Sequence, residues 1–202
     1  MKGTILVLAA VLVLALAAGA QAETYLGVYG GYTYIPDQDI DGDVVAPLPG
    51  VGETEFDGGY SAGGKIGYWM KTLPWLAVEL NVWNTWSGLD KIAGTEVDDI
   101  DLNLLNFSGS LLLQYVTCPW RIYAGGGVVG TWADLSNDDD SVDNVGIGGL
   151  GQAGLEYLLA PNWSVFVEYR YTWCSLEFEE GGATAEIDLQ RHEGIGGLNF
   201  RF

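Results

Sequence analysis

The chain has 202 residues, the size of one domain, with 8 basic residues against 27 acidic ones and a formal net charge of −19. That charge argues against nucleic acid as a partner, and it disfavours docking onto an anionic surface unless metal ions intervene. Thirty glycines, eight tryptophans, eleven tyrosines and six phenylalanines suit β-structure better than helix.

The chain opens with Lys2, an apolar run over residues 5–20, and Ala20-Gln21-Ala22. This pattern reads as a secretory signal with an A-x-A cleavage site, too short in its apolar part to remain as a spanning helix. Residues 1–22 are the expected signal peptide and residues 23–202 the mature domain. No later stretch supplies some twenty consecutive apolar residues, so membrane residence after export must come from strands.

The first strand is predicted over 25–35, where Leu26, Val28, Tyr32 and Tyr34 alternate with Tyr25, Gly27, Gly31 and Thr33. After a long connection (36–57), a second strand (60–70) sets Ala62, Ile66 and Tyr68 against Ser61, Lys65 and Gly67. A tight turn at 71–74 leads into a third strand (75–87), with Leu76, Val78, Leu80, Val82 and Trp86 outward and Ala77, Glu79, Asn81 and Thr85 inward. An acidic connection follows. In the fourth strand Leu105, Phe107, Leu111, Leu113 and Tyr115 share one face, but Leu102 and Leu104 fall out of phase, which predicts a bulge near Leu104 and Leu105. A turn at 117–119 opens the fifth strand (120–134), whose Gly125-Gly126-Gly127 leaves its facing unassigned. The sixth (144–158) puts Val145, Ile147, Leu155 and Tyr157 outward against Gln152 and Glu156.

The seventh strand is the clearest. Trp163, Val165, Val167, Tyr169, Tyr171 and Trp173 form one face; Ser164, Phe166, Glu168, Arg170 and Thr172 form the other. Ten residues at about 3.3 Å each, tilted by roughly 40°, rise about 25 Å, the height of a lipid-facing band with an aromatic girdle at each edge. An eighth strand runs to Phe202. Pro74-Trp75, Pro119-Trp120 and Pro161-Asn162-Trp163 mark one hairpin plus one long connection per repeat, 45 and then 43 residues apart. Of the 27 acidic residues, 22 lie in or at the edges of the four long connections: seven in 37–57, five in 90–101, five in 134–143 and five in 177–188. An even-stranded all-β antiparallel meander with three short turns at one end and four long acidic loops at the other is the pattern of a transmembrane barrel.

The ending Gly197-Leu198-Asn199-Phe200-Arg201-Phe202 resembles the G-L-N-Y-R-F ending of small eight-stranded outer-membrane barrels typified by OmpX and the OmpA transmembrane domain. The resemblance spans the mature chain. It implies an up-and-down barrel in the outer membrane of a Gram-negative cell, surrounded by outer-membrane lipid and monomeric. It further implies that the barrel assembly machinery reads Leu198, Phe200 and Phe202 as an assembly signal. A peptidoglycan-binding domain of the OmpA kind is not expected.

Candidate chemistry is sparse. The only histidine, His192, is followed by Glu193-Gly194, whereas the lipid A deacylase barrels that share this architecture use His-x-Ser; the parity of Phe202 turns His192 toward lipid, so no catalytic residue is expected. The inward charges Lys65, Glu79, Glu156, Glu168 and Arg170 are the expected lumen ion-pair network, because eight strands enclose a space that side chains fill and buried charges need partners. Two readings of that lumen stay open: a polar plug, or a small gated conductance or narrow ligand site. Cys118 and Cys174 should lie on the order of 25 Å apart, too far for a disulfide. Asp37, Asp39 and Asp41 in D-Q-D-I-D-G match the opening of a calcium loop, yet the twelfth position is Leu48. Solvated acid and weak calcium binding are the two readings there; no other cofactor is expected. The leading functional expectation is a structural or surface-interaction protein acting through four acidic external loops. The alternative is a small gated channel, transporter or ligand-binding barrel.

Overall fold

The computed structural model describes residues 23–36, 41–42, 54–56, 58–92, 95–96, 101–137, 140–180 and 183–202. The expected signal peptide, 1–22, lies outside the described residues. Eight long strands carry the fold: β1 (Glu23–Tyr34), β2 (Gly59–Trp69), β3 (Leu76–Ile92), β4 (Asp101–Thr117), β5 (Trp120–Asn137), β6 (Asp140–Ala160), β7 (Trp163–Glu180) and β8 (Ala183–Arg201). Each pairs antiparallel with the next, and β8 returns to β1 in register from Tyr25↔Arg201 to Tyr34↔His192. Thr24 and Phe202 exchange backbone hydrogen bonds at the seam. The sheet therefore closes, which leaves no free strand edge over the height that β1 and β2 span.

The period-2 alternation of the sequence becomes an outside and an inside. Val28, Val82, Leu111, Ile122, Ile147 and Val167 stand exposed on the outer wall. At the short-turn end this apolar band is edged by Trp75, Tyr115, Trp120, Trp163, Phe200 and Phe202. At the long-loop end Tyr34, Tyr60, Trp86, Trp132 and Trp173 edge it. Rings pair across strands within the girdles, Trp120 with Tyr157 at 4.7 Å and Trp163 with Phe200 at 5.0 Å between centroids.

One detail of the sequence reading is corrected, and the facing of the fifth strand, left unassigned there, is resolved. Pairing of β4 with β3 and β5 runs without a shift, so there is no bulge at Leu104 and Leu105. Leu104 points inward and is 1% exposed; it broke the alternation because the inside of this barrel takes apolar bulk as well as polar groups. The register shift lies instead beside the β6–β7 turn, where Trp163 faces Ala160 but Ser164 faces Leu158, leaving Leu159 as the extra residue. The triple glycine of β5 does not disturb its facing either: Arg121, Tyr123, Val129 and Thr131 turn inward while Trp120, Ile122, Val128 and Trp132 turn outward.

At the long-loop end β3 to β8 run on beyond β1 and β2. Segments of the first long connection pair with both flanks of that step: Asp41–Gly42 with Glu186 and Ala185 of β8, and Thr54–Phe56 with Ile92 to Leu89 of β3.

Candidate functional site

The lumen is a stack of alternating charged and aromatic layers. Nearest the short turns, Arg121 of β5 and Arg201 of β8 hold Glu23 of β1 and Glu156 of β6. Arg121 Nη2 lies 3.0 Å from Glu23 and its Nε 3.8 Å from Glu156, while Arg201 is ion-paired to both carboxylates. Asn199 Nδ2 donates to Glu156 at 2.8 Å, and the Ser164 hydroxyl donates to the same oxygen. The Glu23 side chain is 38% exposed, so this layer meets water.

Above it lies a plate of Tyr25, Trp69, Ala77, Leu112 and Tyr123. A Cβ at Gly67 would meet the Tyr25 ring and one at Gly154 the Tyr123 ring, so these two inward positions are glycine because rings lie across them.

The central layer holds the densest charge. Lys65 Nζ lies 2.9 Å from Glu168 and 3.5 Å from Glu79, and Arg170 Nη2 lies 2.8 Å from Glu168. The remaining lone pairs are used: Tyr123 Oη donates to Glu168 at 2.8 Å, Asn81 and Gln152 donate to Glu79 at 2.9 and 2.8 Å, and Tyr25 Oη donates to Glu79. Side chains of Lys65, Glu79, Glu168 and Arg170 are 0–1% exposed. Desolvation of that order is tolerable only when each charge is paired and hydrogen-bonded, as here.

A second aromatic layer follows, built from Tyr29, Trp83, Phe166, Val129, Leu150 and Ile195. Lys65 Nζ sits 3.8 Å from the Phe166 ring centroid, and the Arg170 guanidinium 4.5 Å from that of Trp83. Beyond it, Glu193 accepts from Trp83 Nε1 at 3.1 Å and from Thr33 at 3.3 Å. Arg191 Nη2 donates to Asn106 at 2.9 Å and Thr131 at 3.1 Å.

Of the lumen residues expected from sequence, Lys65, Glu79, Glu168 and Arg170 meet in one layer. Lys65 and Glu79 are diagonal cross-strand neighbours, since Lys65 faces Asn81 and Gly67 faces Glu79. Glu156 belongs to the layer nearer the turns, with Arg121 and Arg201 as partners. Sequence reasoning missed Glu23, Arg121, Arg191, Glu193 and Arg201. The parity of Phe202 carried the signal for three of them, since 201, 193 and 191 share the inward phase, and the outward Trp120 carried it for Arg121.

Other candidates fall elsewhere. Leu198, Phe200 and Phe202 line the outer face of β8 at the short-turn end. Asp37 and Asp39 lie outside the described residues, and Asp41 pairs through its backbone with Glu186. Among the described residues no three His, Cys, Asp or Glu side chains gather as metal ligands. His192 sits on the outer wall, with Nδ1 2.6 Å from Tyr169 Oη and the Tyr171 ring centroid 5.0 Å away. Cys118 is exposed in its turn and Cys174 is buried far up β7; both are free.

The barrel matches solved structures of low sequence identity. Neisserial surface protein A is 16% identical with a TM-score of 0.59, over 89% of this chain and 97% of that one. The outer membrane protein OprG from Pseudomonas aeruginosa is 17% identical with a TM-score of 0.57, over 91% and 98%. A major outer membrane protein from Thermus thermophilus is 14% identical with a TM-score of 0.57, over 91% and 100%. No curated protein matches the chain in sequence. The family model of the outer membrane protein beta-barrel domain matches residues 6–202. With its closed eight-stranded wall, apolar band and paired girdles, the chain belongs to that family and is an outer-membrane protein.

Proposed function

We propose that this protein is a monomeric barrel with a closed lumen, acting as a structural or surface-interaction protein through its four acidic loops. The observation that supports it is the central layer, where side chains from β2, β3 and β7 meet at 2.8–3.5 Å with 0–1% exposure. Opening a path there separates a buried pair, at a cost of about 3–5 kcal/mol. Such a cost holds the open state to between about one molecule in 150 and about one in 5,000. Among the described residues hydroxyls touch a base at Ser164 on Glu156 and Thr33 on Glu193, both buried in the lumen stack, and at Tyr169 on His192, on the outer wall, so the reading assigns no catalysis.

Single-channel recording on refolded protein in planar bilayers tests the plug: openings are expected to be absent or rare and small. Large, steady channels would overturn it and favour the second reading, a small conducting or ligand-binding barrel. One observation supports that second reading. In the long-loop third of the lumen Thr85, Thr172 and Arg191 keep buried polar atoms without hydrogen-bond partners.

A further inference from the structure

The lumen contains five cations, and four of them, Lys65, Arg121, Arg170 and Arg201, each lie within 4 Å of a carboxylate. Arg191 has no such partner among the described residues, although it is 0% exposed. One nitrogen, Nη2, is used by Asn106 and Thr131. The other two, Nε and Nη1, have no hydrogen-bond partner. The nearest acid on the same face of β8, Glu193, is turned toward Trp83, Thr33 and Arg170, the last at 3.9 Å.

A second orphan stands beside this one. Thr172 is directly opposite Arg191 in the β7–β8 register, is 0% exposed, and its hydroxyl also lacks a partner. Facing residues of an antiparallel pair hold their Cβ atoms about 5 Å apart, so both reach the same space. Leu150, 1% exposed, faces Thr172 from β6, while Asn106 and Thr131 lie on the Nη2 side of Arg191.

An arginine cannot shed its proton, so burial leaves a fixed positive charge in a weakly screening interior. Water could complete the hydrogen bonds of Nε and Nη1; five carboxylates, Glu23, Glu79, Glu156, Glu168 and Glu193, balance the five lumen cations, but among the described residues none lies within 4 Å of Arg191. Arg191 Nε and Nη1 on β8 and the hydroxyl of the facing Thr172 on β7 are buried donors without hydrogen-bond partners, and no carboxylate touches them among the described residues, which is the chemistry of an anion site. The full burial of both residues, with Leu150 facing Thr172, suits an ion of halide size better than a phosphate or an organic acid. We propose that the free edge of Arg191 and the Thr172 hydroxyl form a binding site for one small monovalent anion, chloride or bromide, in the long-loop third of the lumen. This holds whether or not the lumen conducts.

The test compares unfolding of the full mature protein, refolded in lipid vesicles, in sodium chloride, bromide and gluconate at equal ionic strength. General screening is then constant, and an ion bound only by the folded state raises the midpoint with the logarithm of one plus its concentration over its Kd. Chloride and bromide are expected to raise the midpoint over gluconate, and Arg191→Met to abolish the difference. Thr172→Val keeps the charge and removes one donor to the ion, so halide affinity should fall about tenfold or more. Should Arg191→Met fail to fold, Thr172→Val and bromide anomalous scattering from wild-type crystals decide. Anomalous density at Arg191 Nε and Nη1 supports the site. Equal midpoints in all three salts, a halide response unchanged by either substitution, or bromide confined to the outer surface would overturn it.

Discussion

Replacing Arg170 with alanine is the sharpest probe of the central layer. In the wild type its guanidinium lies 2.8 Å from Glu168 and 3.9 Å from Glu193, donates to Tyr29 at 3.2 Å, and covers the Trp83 ring at 4.5 Å. After Arg170→Ala, Glu168 keeps Lys65 at 2.9 Å and the Tyr123 hydroxyl at 2.8 Å. Glu193 keeps only neutral donors, Trp83 and Thr33. Breaking a buried pair costs about 3–5 kcal/mol, and loss of the desolvated ring contact adds up to about 2. We therefore expect a loss of about 4 kcal/mol. Arg121→Ala provides the internal comparison. Its partner Glu23 is 38% exposed and Arg201 still holds both Glu23 and Glu156, so about 1–2 kcal/mol is expected. The orphan created by the first change is Glu193, so Glu193→Gln in the Arg170→Ala background should recover about 1–2 kcal/mol. Urea titration of protein refolded in lipid vesicles, read by the gel shift between folded and boiled barrel, measures all three. An Arg170→Ala loss below about 1 kcal/mol, or one smaller than that of Arg121→Ala, would refute the picture of a dry, partner-dependent layer.

Three further outcomes are expected. Val167 is 61% exposed on the outer wall between Trp163 and Trp173, so Val167→Arg should cost about 2–4 kcal/mol in the same assay, and a neutral result would remove lipid from that face. Phe202→Asp should reduce the heat-shifted band recovered from outer membranes several-fold while Phe202→Tyr retains it; equal recovery of both would dissociate Phe202 from assembly. For loop one, calorimetry should detect calcium at about micromolar to millimolar affinity, and Asp39→Asn together with Asp41→Asn should remove it. Heat that is absent, or unchanged by the pair, leaves those carboxylates as solvated acid.

Much of the wall was written in the chain because each strand faces two different solvents. Lipid on one side selects Val165, Val167 and Tyr169, and the inside selects Glu168 and Arg170, so a period of two is visible without knowing any partner strand. The turn prolines with their tryptophans, and the acid gathered in the long connections, then ordered the strands. Local patterning could not reveal what meets across the lumen. Arg121 finds Glu23 from 98 positions away and Arg191 finds Asn106 from 85; such pairs depend on strand stagger and closure, which no single stretch encodes. The inward phase also hid its apolar members. Leu104, Phe166, Leu150 and Ile195 look misplaced beside charged neighbours until the stack of layers shows that they fill volume between them. The sequence alone thus determined which face each side chain takes. Only the closed barrel decided which charges are paired and that Arg191 has no carboxylate within reach among the described residues, because pairing is a property of distance through the lumen and facing a property of the strand.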